Sequence, residues 1–120
     1  MEGFVRPAPT ARREDYRRAA KIGAAVFKDK GALQVVEHWG DEAPRGKPTS
    51  FPMAVRLEAN ETVAFSWIAW PDREARDVGM KAAMEDPRMQ PPTADMPFDG
   101  KRMIFGGFEA IVARGRRCGA

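Results

Sequence analysis

The sequence predicts an α+β fold in which one four-stranded antiparallel sheet carries two helices on one face. Residues 11–30 and 72–85 place apolar and small side chains at helical spacing. Short runs rich in β-branched and aromatic residues stand before, between and after them. The strongest of these runs, residues 63–70 (VAFSWIAW), is apolar on both of its alternating faces. A chain of 120 residues fits one domain. It buries roughly 65% of the surface its unfolded form exposes, enough for a core without disulfides or a metal. The domain is expected over residues 1–113, with a basic, flexible tail at 114–120.

Residues 3–6 (GFVR) read as the first strand, which Pro7 and Pro9 are expected to end because proline cannot donate to a ladder. Thr10 offers an N-cap oxygen. In the helix that follows, Tyr16, Ala20, Gly23 and Phe27 form one stripe, widened by Ala19, Ile22 and Val26. Arg13, Arg17, Lys21 and Lys28 take the opposite side, and Glu14 stands four residues before Arg18. Gly31 is a suitable stop. Residues 33–39 (LQVVEHW) read as a strand and 40–50 as a polar loop. Residues 51–57 (FPMAVRL) read as a further strand segment, joined to 63–70 as a hairpin through a turn with Asn60 as its left-handed residue.

Pro71-Asp72 opens the second helix, with Asp72 as cap and Ala75, Val78, Ala82 and Met84 facing inward. Asp86-Pro87 ends it, and residues 88–95, with Pro91-Pro92, read as a surface loop. The last strand lies within residues 96–112 (MPFDGKRMIFGGFEAIV), entered by the Asp99-Gly100 turn and interrupted by Gly106-Gly107. The order β-α-β-β-α-β is the split βαβ, or ferredoxin-like, pattern. It puts both helices on one face of the sheet, whereas Val63, Phe65, Trp67 and Ala69 alternate with Ala64, Ser66, Ile68 and Trp70. One apolar face is therefore left over, and an identical sheet across a two-fold axis is its most economical cover. A homodimer is expected.

Six stretches carry a family resemblance: GFVRPAP, ALQVVEHWGDE, GKPTSFPMAV, ETVAFSWIAWPDREARD, MEDPRM and MPFDGKRMIFGGFEAIV. Across nearly the whole chain the sequence resembles the YbaA-like family of small bacterial proteins. That family is similar to the dimeric α/β-barrel superfamily, in which two ferredoxin-like sheets face each other with helices outside. The resemblance therefore implies pairing into a dimeric α/β barrel. The wider superfamily holds cofactor-independent monooxygenases, stress-responsive proteins and ligand-sensing domains, so the resemblance implies no single activity. The chain departs from the pattern in starting two residues before Gly3 and in adding the tail RGRRCGA.

Composition excludes several classes. Apolar residues make up 43% and charged residues 31%, as in a globular rather than a disordered chain. No apolar run approaches the roughly 20 residues of a membrane span, and no secretory leader is visible, so a cytoplasmic protein is expected. The single cysteine, Cys118, cannot form an intrachain disulfide, and beside Arg116 and Arg117 it reads as a tail thiol rather than a reactive one. The net charge of +3 is uneven: residues 1–30 carry eight basic and four acidic side chains, and the tail adds three arginines. Few aromatics stand among these cations, so a solvated helix face is favoured over a nucleic-acid surface.

One histidine and no Cys pair give little basis for a metal, and no phosphate loop or nucleophile motif is present, so no cofactor is expected. The catalytic candidates are His38, Glu109 and Arg102. Glu109 interrupts an apolar strand, where burial would raise its pKa and fit it for general-base work. A bulge at Gly106-Gly107 would bring Glu109 and Arg102 to one face; an unbroken strand would not. Trp39, Trp67 and Trp70, with Ser66, are candidates for lining a cleft for an apolar or aromatic small molecule, although packing is the commoner use of tryptophan. The function expected is a homodimeric small-molecule-binding protein or cofactor-free enzyme. A non-enzymatic protein-interaction module and a nucleic-acid binder acting through the basic first helix are the alternatives.

Overall fold

The computed structural model describes residues 1–89 and 97–115. The Pro91-Pro92 loop, Met96, Arg116, Arg117 and Cys118 lie outside the described residues. In order, the elements are β1 (Glu2–Pro9), α1 (Arg13–Asp29), β2 (Gln34–Trp39), α2 (Phe51–Ala54), β3 (Glu61–Ala69), α3 (Arg73–Glu85) and β4 (Ile104–Gly107). The strands run β2-β3-β1-β4, and every neighbouring pair is antiparallel. This is the ferredoxin-like arrangement.

The dimeric α/β barrel is not what the chain forms. Among the described residues its sheet is open and uncurled, with β2 and β4 as its free edges. Residues 51–57 explain part of the difference, because they are not a strand. Ser50 caps α2 by accepting from the Met53 N–H at 3.1 Å, and Pro52 suits a first helical turn. Val55 and Leu57 then pack against Val5 and Val63 on the outer face of the sheet. The chain thus covers part of its own outer face, and the hairpin expected between 51–57 and 63–70 is absent. The left-handed residue in this segment is Arg56 (φ 51°), not Asn60.

Proline does not end β1. Register pairs Pro7 with Val63 and Pro9 with Glu61. The Thr10 N–H bonds the Asn60 carbonyl at 2.8 Å, so the even-numbered residues of β1 make the bonds to β3. Pro7 and Pro9 therefore turn their nitrogens toward the β4 side, where pairing stops at Val5. A missing N–H costs nothing there.

The inner face of the sheet carries Phe4, Ile68 and Val35 against Val26 and Phe27 of α1 and Met80 and Ala83 of α3. Trp70 closes this core, with its ring edge-on to Phe27 at 6.4 Å. Thr10 bonds the Thr62 hydroxyl instead of capping α1, and Ile22 faces outward. Glu14 pairs with Arg17 rather than Arg18, which pairs with Asp15. On α3 the expected cap forms, the Asp72 carboxylate accepting from the Ala75 N–H at 2.7 Å. Its buried side is Gly79 and Ala83, while Val78 and Met84 are exposed. The helix lies so close to Trp70 that a Cβ at Gly79 would stand 2.2 Å from the indole. Small residues therefore hold the inward positions.

Candidate functional site

Between α1 and the free edge of β2 runs a groove of about 360 Å³. Tyr16, Ala20 and Ala24 line it from the helix, and Val35, Glu37 and Trp39 from the strand. Glu37 and Trp39 share the inner face because they alternate with His38, which turns to the outer face and stands against Phe65. Arg13, Arg17 and Lys21 add a cationic side to the groove, and His38 also touches it.

The groove leads to a polar cluster set into an otherwise apolar layer. The Tyr16 hydroxyl donates to Glu37 Oε1 at 2.8 Å. Arg6 projects from β1 on the same face and donates from Nη2 to the Ser66 Oγ at 3.2 Å. Its guanidinium lies 4.7 Å from the centre of the Phe98 ring, with Phe4 and Tyr16 slightly farther away. Arg6 Nε is buried with no hydrogen-bond partner among the described residues.

Burial pushes the Glu37 carboxyl above its ordinary pKa; the Arg6 charge and the Tyr16 hydrogen bond pull the other way without cancelling it. Burial likewise raises the Tyr16 phenol, so it stays protonated and acts as a donor. The arrangement can accept a hydrogen bond or a proton at Glu37 and offer an aromatic wall at Trp39. Among the described residues no group of three or more His, Cys, Asp or Glu side chains is placed to hold a metal ion.

The residues singled out from sequence are dispersed. His38 and Trp39 reach the groove, and Ser66 lies buried behind it on Arg6. Trp67 is on the outer face, since it pairs with Gly3 and Val36. Trp70 and Glu109 line a second, larger cleft at the other end of β2. Arg102 touches neither cleft. It forks onto Glu61 at 2.7 and 2.6 Å, bonds Asp99 at 2.8 Å and donates to the Arg56 carbonyl. These contacts tie the turn before β4 to the start of β3. Asp99 also accepts from the Lys101 N–H, which closes the predicted Asp99-Gly100 turn.

Gly106-Gly107 makes no bulge. Pairing runs unbroken from Glu2–Gly107 to Val5–Ile104, and Glu109 falls beyond the strand, exposed. The two glycines serve opposite faces. Gly106, opposite Gly3, receives the Phe108 ring, and Gly107 gives the Arg76 guanidinium room to reach Glu2 at 3.2 Å.

Arg6, Tyr16 and Glu37 were not among the candidates drawn from sequence. The available signal was parity: Arg6 shares the parity of Phe4 and Ala8, and Glu37 that of Val35 and Trp39, so both charges occupy positions of the buried face.

The family profile described as "Protein of unknown function (DUF1428)" matches residues 1–100, ending before β4. The proteins named "Uncharacterized protein YbaA" from Escherichia coli strain K12, Escherichia coli O157:H7 and Shigella flexneri are each 49% identical to the chain over 112 residues. Those alignments cover 93% of this chain and 96% of each relative. A family match over most of the chain and this level of identity agree with the residue stretches that carried the resemblance, and the chain belongs to the DUF1428 family, the bacterial YbaA-like proteins.

Proposed function

We propose that the protein binds an apolar or aromatic small molecule in the groove between α1 and β2, and does so as a homodimer paired through the outer face of its sheet. The observation that carries the binding site is the Tyr16–Glu37 hydrogen bond at the groove, backed by Arg6. Ionisable groups in an apolar layer cost stability unless they are fully paired, and Arg6 Nε is not. A ligand donating to Glu37 would use that carboxyl directly, with its body on Trp39, Val35 and Ala20. Were the bound compound also turned over without a cofactor, the Glu37 carboxylate would be the base, because burial raises its affinity for a proton.

The test is native mass spectrometry of protein purified under native conditions, with tryptophan fluorescence across a chemical library. Expected is a compound whose affinity falls at least tenfold in Glu37→Gln, about 1.4 kcal/mol. No ligand across the library, or one indifferent to both Glu37→Gln and Trp39→Phe, overturns the site.

A further inference from the structure

The larger cleft lies away from the α1–β2 groove. It measures about 1100 Å³ and is bounded by the start of β2, the end of β3, the start of α3 and residues 107–113. Its walls combine apolar surface from Leu33, Trp70 and Phe108 with three cations, Lys28, Arg73 and Arg76. Arg76 is fixed: Glu2 and Asp77 hold it, and it lies over Gly107, where a Cβ would stand 2.3 Å from Nη1. Arg73, one turn earlier on the same side of α3, makes no ion pair among the described residues. Among the described residues the Lys28 ammonium is engaged only by the Leu33 carbonyl.

Two carboxylates also line the cleft. Asp72 is committed to capping α3, and Glu109 is exposed on the 107–113 side. Trp70 is 7% exposed and gives the cleft only a narrow apolar margin. Two cations that line one cleft, neither in an ion pair among the described residues, call for an acceptor that bears negative charge.

We propose that this cleft binds a molecule with an apolar or aromatic body and one anionic head, a carboxylate or a phosphate. The head goes to Arg73 and Lys28 and away from Glu109, and the body lies on Trp70, Leu33 and Phe108. The site is independent of the α1–β2 groove, and either one can fail without the other.

Calorimetric titration of the full chain with 1-naphthoate, 1-naphthyl phosphate and uncharged 1-naphthol tests the proposal. At least one anion is expected to bind tenfold or more tightly than 1-naphthol. Arg73→Gln and Lys28→Gln, both changes of surface side chains, should each remove most of that advantage and leave 1-naphthol binding unchanged. Glu37→Gln should leave the affinity of the tighter anion unchanged. The tighter of the two anions identifies the head group. Equal binding of all three compounds, or an advantage that survives Arg73→Gln, overturns the proposal. So does an advantage lost in Glu37→Gln but not in Arg73→Gln, which would assign the ligand to the groove.

Discussion

At the scale of single residues, the protein's unusual chemistry sits where charge meets the inner face of the sheet. Glu37 differs from the other perturbed carboxyls. Guanidinium hydrogen bonds hold Glu61, Asp99 and Asp86 below the ordinary carboxylate range: Arg102 for the first two, and Arg88 for Asp86. Burial holds Glu37 above that range. The signs follow from linkage. Carboxyls with lowered pKa contribute stability that is full above their unfolded values and is lost as pH falls toward the folded ones. A carboxyl with raised pKa does the opposite: its contribution is full at low pH and is lost as pH rises through the folded value. Glu37→Gln keeps an oxygen to accept from Tyr16 and removes the ionisation. The stability of this variant relative to wild type is therefore expected to improve as pH rises from 4 to 8. A difference on the order of 1 kcal/mol would appear as roughly 4 °C in Tm. Thermal melts of both proteins across that pH interval check it, and a constant difference would show that Glu37 does not titrate in a buried site.

At the scale of elements, α3 shows how close approach overrides helix propensity. Gly79 lies mid-helix, where alanine is ordinarily better by about 1 kcal/mol. Here the added methyl would meet the Trp70 ring at 2.2 Å and the Lys30 carbonyl at 3.0 Å. Gly79→Ala is therefore expected to destabilise by about 1–3 kcal/mol, read from urea denaturation. A stabilised variant would mean that α3 and Trp70 separate easily. The same contact explains what sequence could and could not show. Periodicity located both long helices and the Asp72 cap, because helix capping and amphipathic spacing are local signals. It misjudged which side of α3 faces inward, because the tightest packing selected Gly79 and Ala83 over the larger Val78 and Met84. Residues 51–57 looked like a strand on composition alone, yet Ser50 and Pro52 start a helical turn whose end packs on Val5 and Val63. Pro7 and Pro9 looked like terminators because the side of β1 they would face depends on a register set by β3 and β4. The site was legible only in part for the same reason. His38 and Trp39 were found by residue type, whereas Arg6 and Glu37 become a pair only once β3 is placed between their strands.

At the scale of the whole molecule, the sheet has one face closed by α1 and α3 and one closed only in part. Val55 and Leu57 shield Val5 and Val63. Beyond them Phe51, Phe65 and Ile104 remain exposed on the outer side, Phe65 by 36% and Phe51 by 54%. Trp67 lies half-buried among them. An apolar surface of this kind, concentrated on one side of a small protein, supports the proposed pairing with a second copy. Two copies stacked outer face to outer face would bury it symmetrically while both sheets remain open. A stable pairing needs roughly 800 Å² from each copy, a large share of a sheet this small, so few exposed residues are dispensable. Light scattering coupled to size exclusion is expected to give twice the chain mass at micromolar concentration. The double substitution Phe65→Lys with Ile104→Lys places charges on exposed outer positions and is expected to yield a monomer with unchanged circular dichroism. A wild-type monomer at micromolar concentration overturns the dimer. A dimer that survives the double substitution moves the contact to a sheet edge, where β2 and β4 each leave one side unpaired.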